Sequence, residues 1–310
     1  MSEPSVSVAR WRAKVSSLTY RGLGFAMGHV PEPVAEGAAR GVARVMALRA
    51  SPALAMSEHH LHRVLASECA DGVAPDPDLV RRWSRRTFDS YARYWADGAR
   101  LPYESEAGVR ARWQLLEGEE HLRAGIARGR GVVMALPHVG SWEWGGYWLG
   151  LEGMPMTAVV ERLEPEELFE WFVAKRAAMG LTAVPLGEGS SSALLRALKD
   201  NGVAGLVSDR DMVGNGVEVE FFGEKTTLPA GAATLALRTG APLLPVVVYS
   251  GPGNWHTGVI HAPLDTSRHG RMREDVARLT QDLATTFEHD IRARPEQWHL
   301  FQPNWPSDPR

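Results

Sequence analysis

The sequence has almost no cysteine and no long hydrophobic run. Cys69 is the only cysteine among 310 residues, so no disulfide can form within the chain and a reducing compartment is expected. No stretch approaches the roughly 18 apolar residues that a membrane-spanning helix needs. The first residues, Met-Ser-Glu-Pro, lack the apolar core of a secretory signal. We therefore expect a cytoplasmic protein that, if it meets a membrane, binds only its surface.

Motifs of several common function classes are also missing. Gly129-Arg-Gly131 lacks the third glycine of a dinucleotide fingerprint, and the chain has no phosphate-binding P-loop. In Gly187-Glu-Gly-Ser-Ser191 the serine is misplaced for a nucleophile elbow, so an acyl-serine intermediate is not expected. His59, His60 and His62 have no cysteine or acidic ligand at suitable spacing, so we expect no metal.

Charge is nearly balanced overall but unevenly distributed. The net charge of -3 gives no sign of nucleic-acid binding. Residues 1–50 contain seven Arg or Lys against three acids, a local balance of +4. In the same segment Val8, Trp11, Val15 and Leu18 follow helical spacing, which fits either a core-packed helix or one lying in a membrane plane. An anionic membrane surface is therefore an expected partner.

The order of predicted elements indicates an α/β fold. Residues 5–100 read as helical, and after Gly129 short β runs alternate with helices, which predicts a sheet with parallel pairing. We expect one domain over residues 1–310, mostly helical in 1–128 and α/β, with the active site, in 129–310. Predicted strands are Val132–Leu136, Met156–Val160, Leu181–Pro185, Val203–Val207, Val217–Phe222 and Leu243–Tyr249. Predicted helices cover Asp78–Arg100 and Glu274–Arg294 and begin near Pro165, Ser190 and Pro229.

The most informative stretch is residues 136–143, Leu-Pro-His-Val-Gly-Ser-Trp-Glu. His138 should lie just past the carboxyl end of a strand, at the edge where open α/β sheets bind ligands. Gly140 permits a sharp turn, and Ser141 is suited to cap the helix that follows. Glu143 then falls in the first helical turn, from where it can approach His138. A histidine steered by a carboxylate can act as a general base toward an alcohol.

His138-x4-Glu143 resembles the His-x4-Asp/Glu motif of the glycerolipid acyltransferase superfamily, which includes the late lipid A acyltransferases. One branch, the actinobacterial phosphatidylinositol mannoside acyltransferases, is more similar still. The likeness covers most of the chain and keeps the order of the matching blocks. These blocks are Tyr91–Trp95, Val132–Glu143, Glu161–Leu168, Val217–Gly231 and Trp298–Pro303.

The resemblance implies an α/β sandwich of the glycerolipid acyltransferase type, with a hydrophobic channel for an acyl chain and no metal or redox cofactor. It implies a peripheral enzyme at the cytoplasmic face of the plasma membrane. Such an enzyme moves a long acyl chain, typically palmitoyl, from acyl-CoA to the 6-hydroxyl of a mannose on a phosphatidylinositol mannoside. A lipid A or glycerolipid acceptor, hydrolysis of acyl-CoA, and non-catalytic lipid binding are the alternatives.

Two positions depart from this branch. Position 143 is Glu where the branch commonly has Asp, and Asp209 stands where it commonly has Glu. The resemblance implies that the residue at position 209 partners the catalytic histidine, so His138, Glu143 and Asp209 are the predicted catalytic residues. Helix geometry allows Glu143 to point past the imidazole, toward Arg176 or toward the substrate, and to hold the shape of the site. The alternative for Asp209 is a structural ion pair with Arg210 or Arg176.

Six other residues are predicted to bind substrate. Arg162 and Arg176 could hold phosphates of CoA or of the lipid head group. Thr227 and Pro229 precede a helix start, where free N–H groups suit an anion or an oxyanion. A surface ion pair or a simple helix cap is the alternative in each case. The full set is Glu161, Arg162, Arg176, Arg210, Thr227 and Pro229.

Overall fold

The computed structural model describes residues 52–69, 73–162 and 164–309, together with positions 34, 37, 38 and 41. The expectation built on Val8, Trp11, Val15 and Leu18 lies outside these ranges, as do the seven basic residues of that segment. One domain over residues 1–310 therefore stays a prediction. Among the described residues, no helix has the length and hydrophobicity needed to cross a bilayer.

Two helices begin the described part of the chain. Helix α1 spans Pro52–Ala66, and helix α2 spans Pro77–Arg100, one residue longer than predicted. The Asp76 side chain caps α2 by accepting a hydrogen bond from the N–H of Asp78 at 2.9 Å. Proline at the first helical position costs no hydrogen bond, because that N–H would have no partner within the helix.

Beyond α2, strands alternate with helices as the sequence predicts. Four of the six predicted strands have the predicted bounds, and two differ by one residue at their carboxyl ends. The elements are α3 Glu106–Arg112, β1 Trp113–Glu117, α4 Glu119–Ala127, β2 Val132–Leu136, α5 Trp142–Leu151, β3 Met156–Val160, α6 Glu166–Ala178, β4 Leu181–Pro185, α7 Ser190–Lys199, β5 Val203–Val207, β6 Val217–Phe221, β7 Glu224–Leu228, α8 Gly231–Thr239, β8 Leu243–Ser250, β9 His256–Ile260 and α9 Met272–Ala293.

Seven strands form the main sheet, in the order β1-β9-β8-β2-β5-β3-β4. The pairs within β8-β2-β5-β3-β4 are parallel, whereas β9 is antiparallel to β8 and parallel to β1. Strands β6 and β7 form a separate antiparallel hairpin. The α/β fold class with a mostly parallel sheet is therefore confirmed.

The sheet lies between two hydrophobic layers, and β2 contributes to both. Val133 and Ala135 face the cluster that includes α7, α8 and α9, whereas Val132, Met134 and Leu136 belong to the cluster on the α5 side. Successive side chains of a strand point to opposite faces, so a strand covered on both faces reads as a continuous apolar run. All five β2 residues are buried, which makes this the sandwich that the family resemblance implies.

The register between β2 and β5 places the carboxyl ends of the two strands next to each other. Leu136 at the end of β2 is paired with Val207 at the end of β5 in a parallel ladder. His138 and Asp209 each lie two residues beyond those ends. Because parallel strands end at the same edge of a sheet, both residues emerge side by side.

Candidate active site

The site is built on the turn that follows β2. Gly140 has a φ of 59°, in the left-handed region that favours glycine. A Cβ at this position would lie 2.0 Å from the carbonyl oxygen of Val248, in the neighbouring strand β8. Any other residue would therefore displace the turn. The predicted sharp turn is present, and it directs the chain from β2 into α5 with His138 at the carboxyl edge of the sheet.

A segment near the carboxyl end holds this turn by main-chain hydrogen bonds. The N–H of Gly140 donates to the carbonyl of Gln297 at 3.0 Å, and the N–H of His299 donates to the carbonyl of His138 at 2.8 Å. The backbone on both sides of the histidine is thus fixed by residues about 160 positions away in sequence. This arrangement limits the directions in which the His138 imidazole can point.

The imidazole of His138 contacts the carboxylate of Asp209. His138 Nδ1 lies 2.5 Å from Asp209 Oδ1, with the histidine side chain 35% exposed and the carboxylate fully buried. An ionised carboxylate only accepts hydrogen bonds, so we assign the proton to Nδ1. The lone pair of Nε2 is then available to a substrate. Asp209 makes no ion pair with Arg210 or Arg176, so the structural alternative is not the observed arrangement.

Three further hydrogen bonds surround Asp209. Its Oδ2 accepts from the backbone N–H of His138 at 2.9 Å and from Trp298 Nε1 at 2.8 Å. The Asn304 side chain donates to its carbonyl oxygen at 3.0 Å. Burial alone would raise the pKa of Asp209, but the facing His138 and the hydrogen bonds from His138 and Trp298 bring that pKa below its ordinary value. The carboxylate is therefore ionised at neutral pH and can stabilise an imidazolium.

Helix α5 begins at Trp142, where the sequence places it. Ser141 occupies the N-cap position, but its side chain makes no capping hydrogen bond. Its Oγ is buried and has no hydrogen-bond partner among the residues that the structure describes. The sequence thus locates the helix start correctly, while the serine hydroxyl does not take the capping role that its residue type suggests.

Glu143 contacts Tyr94 and Arg176 instead of His138. Its Oε1 accepts from Arg176 Nη2 at 2.9 Å and from the Tyr94 hydroxyl at 3.1 Å. Burial lowers the pKa of Arg176, but the Glu143 charge outweighs that effect and raises it. Burial, together with the same carboxylate, raises the pKa of Tyr94. The geometry therefore agrees with a Glu143 that points toward Arg176, and no hydrogen bond joins Glu143 to His138.

An apolar cavity lies between α5 and the sheet, beside the His138 turn. Leu136 and Trp142 line it on either side of the turn, and Trp113 of β1 and Trp148 of α5 also line it. Gly145 leaves room on the α5 side, since a Cβ there would lie 3.2 Å from Trp113. The cavity volume is about 30 Å³, far less than an acyl chain needs. An acyl chain therefore fits only if lining side chains move.

The predicted binding residues after β3 and β5 lie at the same carboxyl edge. Glu161 and Arg162 are exposed directly after β3, and Arg162 pairs with the exposed Glu166 at 2.7 Å. Glu161 is near enough to Tyr91 to contribute, after burial, to the raised pKa of that phenol. Arg210 is half-buried and has neither an ion pair nor a hydrogen bond among the described residues. Its guanidinium is therefore available to an anion.

Thr227 and Pro229 lie at the end of the β6–β7 hairpin. The Thr227 hydroxyl donates to Asp211 Oδ2 at 3.2 Å, which connects the hairpin to the loop after β5. Asp211 also accepts backbone hydrogen bonds from that loop, and these overcome the effect of burial and lower its pKa. Helix α8 begins at Gly231, two residues after Pro229. The predicted helix start is therefore slightly displaced.

The sequence reasoning missed four residues of this neighbourhood. Trp298 and Asn304 donate to Asp209, and Tyr94 donates to Glu143. His299 Nε2 lies 2.9 Å from the Ser90 hydroxyl, and burial together with the charge of His138 lowers its pKa to about 3. Three of them, Tyr94, Trp298 and His299, lie in segments that carry the family resemblance, and this could have pointed to them. Their spacing in the sequence alone indicates no role.

Two of the three histidines of α1, His59 and His60, have a structural partner in the fold. His60 Nε2 lies 3.1 Å from Asp308 Oδ2, and His59 lies 3.4 Å from the other oxygen of the same carboxylate. In the described ranges, no group of three or more His, Cys, Asp or Glu side chains is arranged to hold a metal ion.

Comparisons with known proteins identify the family to which the chain belongs. Residues 13–307 match the family model described as bacterial lipid A biosynthesis acyltransferase. A phosphatidylinositol mannoside acyltransferase from Mycolicibacterium smegmatis is 37% identical over 92% of this chain and 91% of its own length. One from Mycobacterium tuberculosis is 38% identical over 80% of this chain and 76% of its own. The chain therefore belongs to the bacterial lipid A biosynthesis acyltransferase family.

Proposed function

We propose that this chain transfers a long acyl chain, palmitoyl being the expected one, from acyl-CoA to the mannose 6-hydroxyl of a phosphatidylinositol mannoside. Membership of an acyltransferase family supports acyl transfer, and the names of the mycobacterial relatives support the acceptor. The observation that carries the proposal is the His138–Asp209 pair at the carboxyl edge of the sheet. A buried carboxylate holds Nδ1 at 2.5 Å and leaves Nε2 available to a hydroxyl.

The reaction follows from the tautomer of His138. Nε2 takes the proton of the mannose hydroxyl while its oxygen attacks the thioester carbonyl, which forms the new C–O bond. When the tetrahedral intermediate collapses, the C–S bond breaks and the imidazolium returns the proton to the CoA thiolate. Asp209 stays ionised and stabilises the imidazolium. Base catalysis of this kind contributes roughly 10²–10⁴-fold, and alignment of the two bound substrates adds to it.

Arg176 is the proposed anion-binding group at the mouth of the apolar cavity. Trp142 lines that cavity, and the Arg176 guanidinium lies 5.3 Å from the centroid of its ring. One Arg176 nitrogen binds Glu143, while its Nε is buried without a hydrogen-bond partner among the described residues. A buried, unpartnered donor favours an oxyanion or a phosphate oxygen as its ligand. The acyl chain would then extend from His138 into the cavity.

The remaining edge residues are proposed to bind the polar parts of the substrates. Arg210 has no protein partner in the described ranges and suits a phosphate of CoA or of the lipid head group. Glu161 and Arg162 are exposed beside it at the end of β3, where a carboxylate can accept hydrogen bonds from sugar hydroxyls. Thr227 and Pro229 border the same loop on its other side. Neither the donor nor the acceptor requires a metal in this scheme.

Attachment to the cytoplasmic face of the membrane is a further part of the proposal, supported by the +4 balance of residues 1–50. The protein should sediment with anionic vesicles at low salt and less so at physiological salt, where the Debye length is about 8 Å. Changing Arg10, Lys14 and Arg21 to Glu should weaken sedimentation. If the wild-type chain does not bind such vesicles at low salt, this part of the proposal is wrong.

The central experiment combines labelled palmitoyl-CoA with a panel of phosphatidylinositol mannosides, lipid A precursors and lysoglycerolipids, followed by product analysis. His138→Ala should lower transfer by at least about a hundredfold while the melting temperature is kept. His269→Ala is the matched control, because its imidazole also pairs with a carboxylate, Asp265, at 3.1 Å, but both side chains are exposed.

Each outcome decides between specific activities. Product only on a mannoside supports the proposed acceptor, whereas product on a lipid A precursor or a lysoglycerolipid replaces it. Palmitate released at the same rate without any acceptor indicates a hydrolase. A folded His138→Ala protein with wild-type transfer contradicts the mechanism.

A further inference from the structure

Among the described residues, Trp298 is the one side chain other than His138 that donates a hydrogen bond to the carboxylate of Asp209. Asp209 Oδ2 accepts from Trp298 Nε1 at 2.8 Å and from the His138 backbone N–H at 2.9 Å. Both donors converge on the same oxygen. Asp209 Oδ1 is left to the imidazole, at 2.5 Å. The two carboxylate oxygens therefore have different partners, and the indole N–H of Trp298 is one of the two donors that occupy Oδ2.

The indole is held in place more tightly than a surface tryptophan would be. Trp298 is only 3% exposed, and its main chain forms an antiparallel bridge with Val139, next to His138. Its ring lies among those of Phe221, Phe222 and His60, with centroids 5.4–6.2 Å away. Aromatic contacts of this kind restrict both side-chain torsions of a tryptophan. The N–H direction is consequently fixed before any substrate binds.

The segment that carries Trp298 is itself anchored to α1. The buried Asp308 accepts hydrogen bonds from His60 at 3.1 Å and from Arg63 at 3.2 Å. It also accepts from the backbone N–H groups of Asn304 and Trp305. Asn304 in turn donates to the Asp209 carbonyl. A continuous set of contacts thus joins the carboxy-terminal segment to the carboxylate beneath the histidine.

We propose that Trp298 is a positioning residue for the general base: its indole N–H fixes the Asp209 carboxylate, and through it the tautomer and orientation of His138. This inference rests on the proposed function. With Oδ2 occupied by two N–H donors, only Oδ1 can accept the Nδ1 proton. The imidazole is then held with Nε2 unprotonated, which is the form that accepts a proton from the acceptor hydroxyl.

The proposal predicts an effect on pH dependence that a purely structural tryptophan would not have. Without the indole N–H, the carboxylate charge is less dispersed and stabilises the imidazolium more strongly. The inactive, protonated form should therefore persist to higher pH. One hydrogen bond to a charged group corresponds to about 1–2 pH units. Since the indole acts on the imidazole only through the carboxylate, we expect about half of that, roughly 0.5–1 unit, in the acidic limb of kcat/KM.

Trp298→Phe is the test, since phenylalanine keeps an aromatic ring and removes the N–H. We expect its acidic limb to move upward by that amount and kcat at neutral pH to fall about tenfold. Trp305→Phe is the matched control. Trp305 is 4% exposed, stacks on Phe221 in the same aromatic cluster, and its Nε1 donates to a backbone carbonyl at 3.2 Å. The Trp305→Phe variant should lose a comparable amount of stability, while the acidic limb of its kcat/KM profile stays where it is in the wild type.

The outcomes separate this inference from the proposed function. If the wild-type protein transfers no acyl chain to any glycolipid, the proposed function fails and this inference with it. If it transfers normally but both tryptophan variants keep the wild-type pH profile, only the role of Trp298 is overturned. Should Trp298→Phe not fold, the indole N–H resonance of Trp298 in the wild-type protein decides. It should change with pH together with the His138 imidazole, and a pH-independent resonance would contradict the proposal.

Discussion

Asp209 and Glu143 are two buried carboxylates with opposite surroundings. Asp209 contacts one ionisable partner, the partly exposed imidazole of His138, and otherwise neutral N–H donors. Glu143 contacts Arg176, whose charge is permanent, and its second oxygen has no hydrogen-bond partner in the described ranges. Both side chains are at most 7% exposed. Burial therefore does not distinguish them, but their partners do.

The difference shows which carboxylate can stabilise a charge that forms during the reaction. A carboxylate beside an imidazole stabilises a charge that appears and disappears during a proton transfer. A carboxylate beside a guanidinium is already neutralised in every state of the reaction. We therefore propose that Asp209 stabilises the imidazolium that forms during proton transfer and that Glu143 holds the shape of the site. Variants of each residue can test that assignment.

Of the two carboxylates, Asp209 is expected to give the larger loss of turnover, in the variant Asp209→Asn. Two N–H donors at Oδ2 require the amide oxygen to stand there, which turns the amide NH₂ toward His138 Nδ1. Nδ1 must then accept, and the proton moves to Nε2, where it blocks the base. We expect kcat to fall by about 10²–10⁴-fold with little change in melting temperature, as measured by steady-state transfer and thermal unfolding.

A double variant sharpens this result. If His138 and Asp209 act as one unit, as proposed, Asp209→Asn added to His138→Ala should cost almost no further activity. A multiplicative loss would mean that Asp209 acts elsewhere. A fully active Asp209→Asn enzyme would return the partner role to Glu143, the residue closer to His138 in sequence.

Much of the frame around His138 can be predicted from the sequence, because its elements obey local rules. The apolar run Val132–Leu136 is buried along its whole length and Val203–Val207 along its first three residues, and both end at the predicted residues. The Gly140 turn and the start of α5 follow from residue type. Since parallel strands end at one edge, the meeting of His138 and Asp209 follows once β2 and β5 are neighbours.

Strands β1, β7 and β9 are not predictable from the sequence in the same way. Strand β7 has the sequence Glu-Lys-Thr-Thr-Leu and is stabilised by pairing with β6, while the sheet-edge strand β1 has exposed Glu117 and Leu116. Their strand state depends on partners far away in sequence and not on an apolar pattern of their own. Strand β9 likewise forms by antiparallel pairing with β8.

The contacts of Trp298 and Tyr94 are equally beyond sequence reasoning. Trp298 reaches Asp209 across 89 residues and Tyr94 reaches Glu143 across 49. Neither contact leaves a periodic signal. Only the assembled fold brings the carboxy-terminal segment and α2 against the two carboxylates, and the direction of an indole N–H or a phenol depends on that packing.

Glu143→Gln should affect turnover less than Asp209→Asn and stability more. Glutamine keeps a hydrogen-bond acceptor for Arg176 and Tyr94 but leaves the guanidinium, whose side chain is 13% exposed, without an opposite charge. Loss of one partner of a buried ion pair costs on the order of 3–5 kcal/mol. We expect a free energy of unfolding lowered by about that amount in urea titrations, together with a moderate loss of turnover at temperatures where the variant is folded.

Tyr94→Phe is the matched control for this prediction, because it removes the second donor to Glu143 Oε1 and leaves the ion pair intact. A hydrogen bond to a charged group contributes about 1.5–3 kcal/mol, so this variant should be destabilised less than Glu143→Gln. Stability would then decrease from the wild type to Tyr94→Phe to Glu143→Gln, because only Glu143→Gln removes the charge opposite Arg176. If Glu143→Gln instead kept wild-type stability and lost as much turnover as Asp209→Asn, Glu143 would be part of the proton transfer, and the division between the two carboxylates would be wrong.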